Sequence, residues 1–121
     1  MKVKKIILKK GNLDEFFRNV EKAVKKPIKK TEAPVLYIED INEFKKILTE
    51  ERIRILRVIK HKNPQSVYEL AKMLKRDRSN VITDLALLEN LGFIELDQEK
   101  NIRTVMKPKA DYDRIDISVE I

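Results

Sequence analysis

Apolar residues recur in two rhythms along this chain, one of period two and one of period three to four. Val3 to Lys9 is β-prone and alternates weakly before Gly11 breaks it. Asn12 then stands three residues ahead of Glu15, the spacing of a helix-capping box. Leu13, Phe16, Phe17, Val20, Ala23 and Val24 follow at intervals of three and four, so one apolar stripe runs down a helix that Pro27 ends. Lys29 to Pro34 is a polar connector, and residues 35–39 (VLYIE) are β-prone again. Asp40 and Glu43 form a second capping pair, opening a short helix with Ile41, Phe44, Ile47 and Leu48 apolar. Thr49 is placed to cap the next helix, with Glu50 and Glu51 in its dipole-favoured first turn. Ile53, Leu56, Val58 and Ile59 mark its inner side, and Lys60, His61 and Lys62 close it before Asn63-Pro64.

The second half is more sharply patterned. Ser66 and Glu69 make a capping box for a helix whose buried side is Val67, Leu70, Ala71 and Leu74. Lys75-Arg76-Asp77 is a polar turn, and Asp77 or Ser79 can cap the next helix. Val81, Leu85, Leu88 and Leu91 give one inward stripe, and Gly92 suits the left-handed position after a helix end. Phe93 to Leu96 alternates as a strand, DQEKN is a polar loop, Ile102 to Met106 is the return strand, and Pro108 to Asp111 is a break. Ile115, Ile117, Val119 and Ile121 alternate with polar residues, so the pattern predicts a final strand with one buried face.

Two short helices, a turn and a hairpin in this order predict an α+β fold: a winged helix-turn-helix with an N-terminal α/β extension and a C-terminal strand. The pattern divides the chain into an extension over residues 1–48 and a winged domain over 49–121. With Val81, Leu85 and Leu88 inward, the outer face of the second helix carries Arg78, Ser79, Asn80, Ile82, Thr83 and Ala86. These lie toward its N-terminus, the end that meets base edges in helix-turn-helix docking. Arginine pairs bidentately with guanine and asparagine with adenine, and Ile82 or Ala86 suits a thymine methyl. Ser66 at its helix start, with Lys75 and Arg76 in the turn, suits backbone phosphates. Lys100 and Arg103 are the basic residues of the wing, beside Asp97 and Glu99. Thr83 and Asp84 make the recognition face less basic. Any surface helix also shows a polar outer face, and on that reading Lys75, Arg76 and Arg78 are solvated charges only.

Composition narrows the classes. The net charge is +7 over 121 residues. Residues 1–48 hold thirteen Lys/Arg against seven Asp/Glu, residues 49–109 thirteen against nine, and residues 110–121 one against four. A basic body suits a polyanionic partner. There is no cysteine, hence no disulfide framework and no thiolate metal site. The basic start MKVKKIILKK has an apolar run of only Ile6 to Leu8, so neither a signal peptide nor a membrane span is expected, and the location read from this is cytoplasmic. The single histidine, His61, sits at a helix end between lysines, suited to capping carbonyls. No nucleophile–base pair, phosphate-binding glycine loop or metal-ligand cluster is present, so no enzyme activity and no cofactor are expected. Asp111 and Asp113 would share one face of an extended strand and Asp116 the other, which reads as solvated strand rather than a metal site.

The segment SVYELAKMLKRDRSNVITDLALLENLGFIEL, residues 66–96, is similar to the winged helix-turn-helix of MarR-like and ArsR-like prokaryotic regulators. Over residues 40–121 the chain resembles a small family of DNA-binding regulators of archaea and bacteria. FKKILTEERIRILRVI, KRDRSNVITDLALLENLGFIEL and the tail YDRIDISVEI carry that match. The family often has a basic residue where this chain has Thr83. The resemblance implies sequence-specific binding of double-stranded DNA by a homodimer, through a recognition helix at 78–91. It also implies an alternative, an antitoxin or adaptor whose N-terminal module binds a partner protein. Leu13, Phe16, Phe17 and Val20 are the expected dimer or partner interface.

Overall fold

A computed structural model describes residues 1–11, 35–98 and 106–121. Its elements are β1 (Val3–Lys10), β2 (Val35–Ile38), α1 (Ile41–Ile47), α2 (Glu50–Lys62), α3 (Val67–Leu74), α4 (Arg78–Asn90), β3 (Glu95–Gln98), β4 (Met106–Lys109) and β5 (Arg114–Val119). The fold is α+β. The stripe of residues 13–24 and the hairpin tip lie outside the described residues.

The chain forms two compact units, Met1–Thr49 with Tyr112–Ile121, and Glu50–Asp111. The sequence boundary at 48/49 is close to the first division, but the pattern kept the last strand with the second unit. That assignment is corrected. β5 runs parallel to β1 from Val3↔Arg114 to Leu8↔Val119, so the last strand completes the first unit. Local pattern names a strand but not its partner, which here lies over a hundred positions away in sequence.

In the first unit the sheet order is β2-β1-β5, with both pairings parallel. Alternation places Ile6 and Leu8 on one face of β1, beside Leu36 and Ile38 of β2, and all four are buried. Asp40 caps α1, accepting from the backbone of Asn42 and Glu43 at 2.8 and 3.3 Å, while Glu43 accepts from the Glu39 N–H at 3.2 Å. This cap fixes the phase that buries Phe44 and Ile47. The face of β5 that alternation predicts as buried is not. Ile117 is 43% and Val119 60% exposed, although they share a face with Ile6 and Leu8. Alternation fixes which side chains share a face, and something else must cover that face.

In the second unit α2, α3 and α4 pack with the β3–β4 hairpin. α2 buries Ile55, Leu56 and Ile59, with Ile53 and Val58 only half-buried. Leu56 and Ile59 of the expected stripe are thus buried, while Ile55 takes a core place that the spacing did not assign and Arg52 is drawn partly inward. α4 ends in a Schellman turn: Gly92 has φ 77° and donates to the Glu89 carbonyl at 2.9 Å, and Phe93 donates to Leu88 at 2.8 Å. That turn delivers Phe93 and Ile94 into the core. The break expected from Pro108 to Asp111 begins only at Ala110, after β4 ends at Lys109. Pro108 sits within β4 opposite Leu96, tolerated because a two-stranded ribbon has an open side for the missing N–H.

Gly11 sits against Tyr37, where an added Cβ would lie 2.8 Å from both the Tyr37 Cβ and Cδ1. Gly11→Ala should therefore destabilise the first unit by about 1–3 kcal/mol in urea titration, the usual cost of overpacking.

Candidate nucleic-acid interface

Three helices meet at the turn between α3 and α4. Ser66 caps α3, its Oγ accepting from the Glu69 N–H at 3.0 Å. Glu69 accepts from the Gln65 N–H, one residue before the cap, at 3.3 Å. At the other end Lys75 takes a left-handed conformation, φ 54° and ψ 45°. It donates to Lys72, and Arg76 to Ala71, each at 3.1 Å, a second Schellman turn with lysine where glycine is usual. Two residues later Asp77 caps α4, accepting from the Ser79 N–H at 2.8 Å and the Ser79 hydroxyl at 2.9 Å.

The start of α2 braces this turn. Arg52 donates from Nε to Asp84 Oδ1 at 3.1 Å, and Arg76 Nη1 lies 2.9 Å from Asp84 Oδ2. The second contact is an ion pair without hydrogen-bond alignment. Glu51 stands 3.6 Å from Arg76, and Arg54 reaches the Leu74 carbonyl, the last of α3, at 3.4 Å. Asp84 and Arg52 are 13% and 18% exposed, so their pairing is shielded, whereas Glu51 is half-exposed and adds little.

This cluster revises the sequence reading of two residues. Arg76, expected to face a phosphate, has its guanidinium against Asp84 and Glu51. Asp84, expected to dilute the charge of the outer face, points inward to two arginines. No local motif announces Arg52 or Glu51, because their partners, Asp84 and Arg76, lie in other elements far along the chain.

The other expected contact residues divide by position. Val81, Leu85 and Leu88 are buried, and Arg78, Ser79, Asn80, Ile82, Thr83 and Ala86 are exposed. At about 100° per residue, Ser79, Thr83 and Ala86 occupy the middle of the outward arc. Arg78 and Ile82 form one flank and Asn80 the other. Ile82 and Ala86 also border a shallow apolar cavity of about 210 Å³, walled by Val67, Leu96 and Met106. Lys75 is exposed in the turn. Among the described residues Arg78 makes no salt bridge, though its charge lies near Asp77.

The hydroxyls are partly committed. Ser79 donates to Asp77, and Thr83 donates to the Ser79 carbonyl at 3.1 Å. Each oxygen keeps acceptor capacity, which suits an exocyclic amino group of a base rather than a phosphate. Ser66 is the reverse: its oxygen accepts from the backbone, leaving its proton for a phosphate. In the hairpin stem Glu95 and Asp97 stand opposite Lys109 and Lys107, and Lys109 pairs with Asp97, so the stem's charges largely cancel. Lys100 and Arg103 lie outside the described residues, as do Leu13, Phe16, Phe17 and Val20. Among the described residues there is no cluster of metal-ligating side chains, and no helix long and apolar enough to cross a membrane.

These features define a small α+β protein with a braced helix pair and a basic, polar helix start exposed beside a hairpin. The family described as HVO_A0114 matches residues 47–117, and the chain belongs to it. No curated protein matches the chain.

Hydrogen bonds from the Ser79 backbone and then its hydroxyl hold the Asp77 carboxyl below the usual carboxylate range. A lowered folded-state value means the cap's contribution is present above the unfolded carboxylate range and lost as pH falls through the lowered value. Asp77→Ala should remove that part of the acid limb from a pH titration of stability. Asp84→Asn leaves Arg52 and Arg76 without their shared counter-charge in a shielded site. Its expected cost is about 3 kcal/mol in urea unfolding, against under about 1 kcal/mol for the exposed Thr83→Ala.

Proposed function

We propose that residues 50–111 form a winged helix-turn-helix and that the chain is a DNA-binding transcriptional regulator acting as a homodimer. α4 is the recognition helix, and its first turn enters the major groove. The observation that carries this reading is Lys75. A non-glycine residue in the left-handed region costs about 1–2 kcal/mol, yet here a lysine occupies the place in the turn that glycine would fill with less strain. Residues held in such conformations cluster at functional sites. It stands beside the capped start of α4, next to Arg78, on a chain of net charge +7. Lys75 and Ser66 serve the phosphate backbone, and Arg78, Asn80, Ser79 and Thr83 serve base edges.

Lys75→Gly separates stability from binding. Glycine relieves the strain but returns about 0.5–1 kcal/mol in unfolded-chain entropy, so the variant should be more stable by roughly 0.5 kcal/mol. It should also bind every duplex more weakly and lose about one unit of salt slope. Arg78→Ala should instead cost about 1–3 kcal/mol on the preferred sequence and much less on others. Titration of duplex from upstream of the chain's own coding sequence, at two salt concentrations, measures both. Weak binding that is equal for all sequences and independent of salt would remove the reading.

A further inference from the structure

The sheet of the first unit ends in β5, whose outer edge no described strand pairs. Glu120 turns its N–H to the Leu8 carbonyl of β1 at 2.8 Å. Backbone groups alternate sides along a strand, so Ile115, Ile117 and Val119 turn their N–H and C=O to the open edge. Their side chains share the face of Ile6 and Leu8 through the β1–β5 register. Ile6 and Leu8 are each 1% exposed, whereas Ile117 and Val119 are the uncovered continuation of that apolar face. Open backbone groups beside uncovered apolar side chains form a template for another strand.

The charges along β5 select the strand. We propose that β5 pairs antiparallel with β5 of a second copy, about a two-fold axis through Ile117, making one continuous sheet across a homodimer. This rests on the homodimer reading above and names the surface that forms it. In this register Ile117 faces the partner's Ile117, and Ile115 faces the partner's Val119. These are the residues with outward backbone groups, so each such pair exchanges both hydrogen bonds. On the other face Arg114 meets the partner's Glu120, and Asp116 meets the partner's Ser118. A register centred on Asp116 sets that carboxylate against its own copy, and one centred on Ser118 sets Asp116 against the partner's Glu120. Like charges directly opposite are destabilising and opposite charges favourable, so only the Ile117 register uses the whole strand without a clash. The Arg114–Asp116 pair at 2.8 Å and the Lys9–Glu120 pair at 3.7 Å hold both end charges on the polar face, away from the isoleucines.

The absence of native cysteine gives a direct test on the full chain. A hydrogen-bonded antiparallel pair has its Cα atoms about 5.5 Å apart, within reach of a disulfide. Ile117→Cys alone should therefore cross-link to a dimer under mild oxidation. Val119→Cys alone should not, because the two copies lie four residues apart along the ribbon, about 13 Å, but it should cross-link when mixed with Ile115→Cys. Sedimentation without DNA should show Arg114→Glu weakening the dimer at least tenfold and Arg114→Glu with Glu120→Arg recovering most of it, with circular dichroism confirming the fold. A monomeric parent chain, equal cross-linking at 117 and 119, or no recovery in the charge swap would overturn the interface. A dimer with this cross-linking pattern that does not bind DNA would instead sink the regulator reading and leave the interface standing.

Discussion

Asp84 is the residue on which the second unit's arrangement depends. One carboxylate receives an arginine from the first turn of α2 and another from the turn between α3 and α4. It thereby fixes the rotation of α4 about its own axis. Once Asp84 is turned to Arg52, with Val81, Leu85 and Leu88 in the core, Ser79, Thr83 and Ala86 must face outward. The two shielded pairs do not by themselves argue for large stability, since desolvation offsets most of the attraction. Their consequence is orientation, because an unpaired charge at this depth would be costly in any other rotation.

The same cluster separates roles among the basic residues. Arg76 and Arg52 are structural, held by Asp84. Lys75 and Arg78, on either side of the Asp77 cap, remain exposed at the helix start. Positive charge near this turn is therefore not a uniform patch. It consists of an inner pair that shapes the helix start and an outer, exposed pair, Lys75 and Arg78. The capping bonds refine this further, since they leave Ser79 and Thr83 as acceptors and Ser66 as a donor.

Much of this was legible in the sequence where the signal is local. The capping boxes at Asp40 and Ser66, the stripe of Val81, Leu85, Leu88 and Leu91, and the turn at Gly92 each rest on contacts within a few residues, and each is found where spacing puts it. What the sequence hid is long-range. Arg52 carries no local signal because its carboxylate partner lies 32 residues on, and Arg76 reads as a phosphate contact because the turn alone does not show that Asp84 turns inward. β5 read as half-buried because alternation says nothing of a cover. Its pairing to β1, which moves the chain's last segment into the first unit, has no local signature at all. Lys75 in the left-handed region was equally invisible, since the residue most expected there is glycine.

In the proposed function the first turn of α4, with Lys75 and Ser66 beside it, is the surface that meets DNA. Amide chemical-shift mapping tests it most directly. Duplex from upstream of the chain's own coding sequence is titrated into isotopically labelled protein. The largest shifts should fall between Lys75 and Thr83 and around Ser66, with little change along β1 and β2. Saturable binding that leaves those amides unmoved and shifts the first unit instead would contradict it.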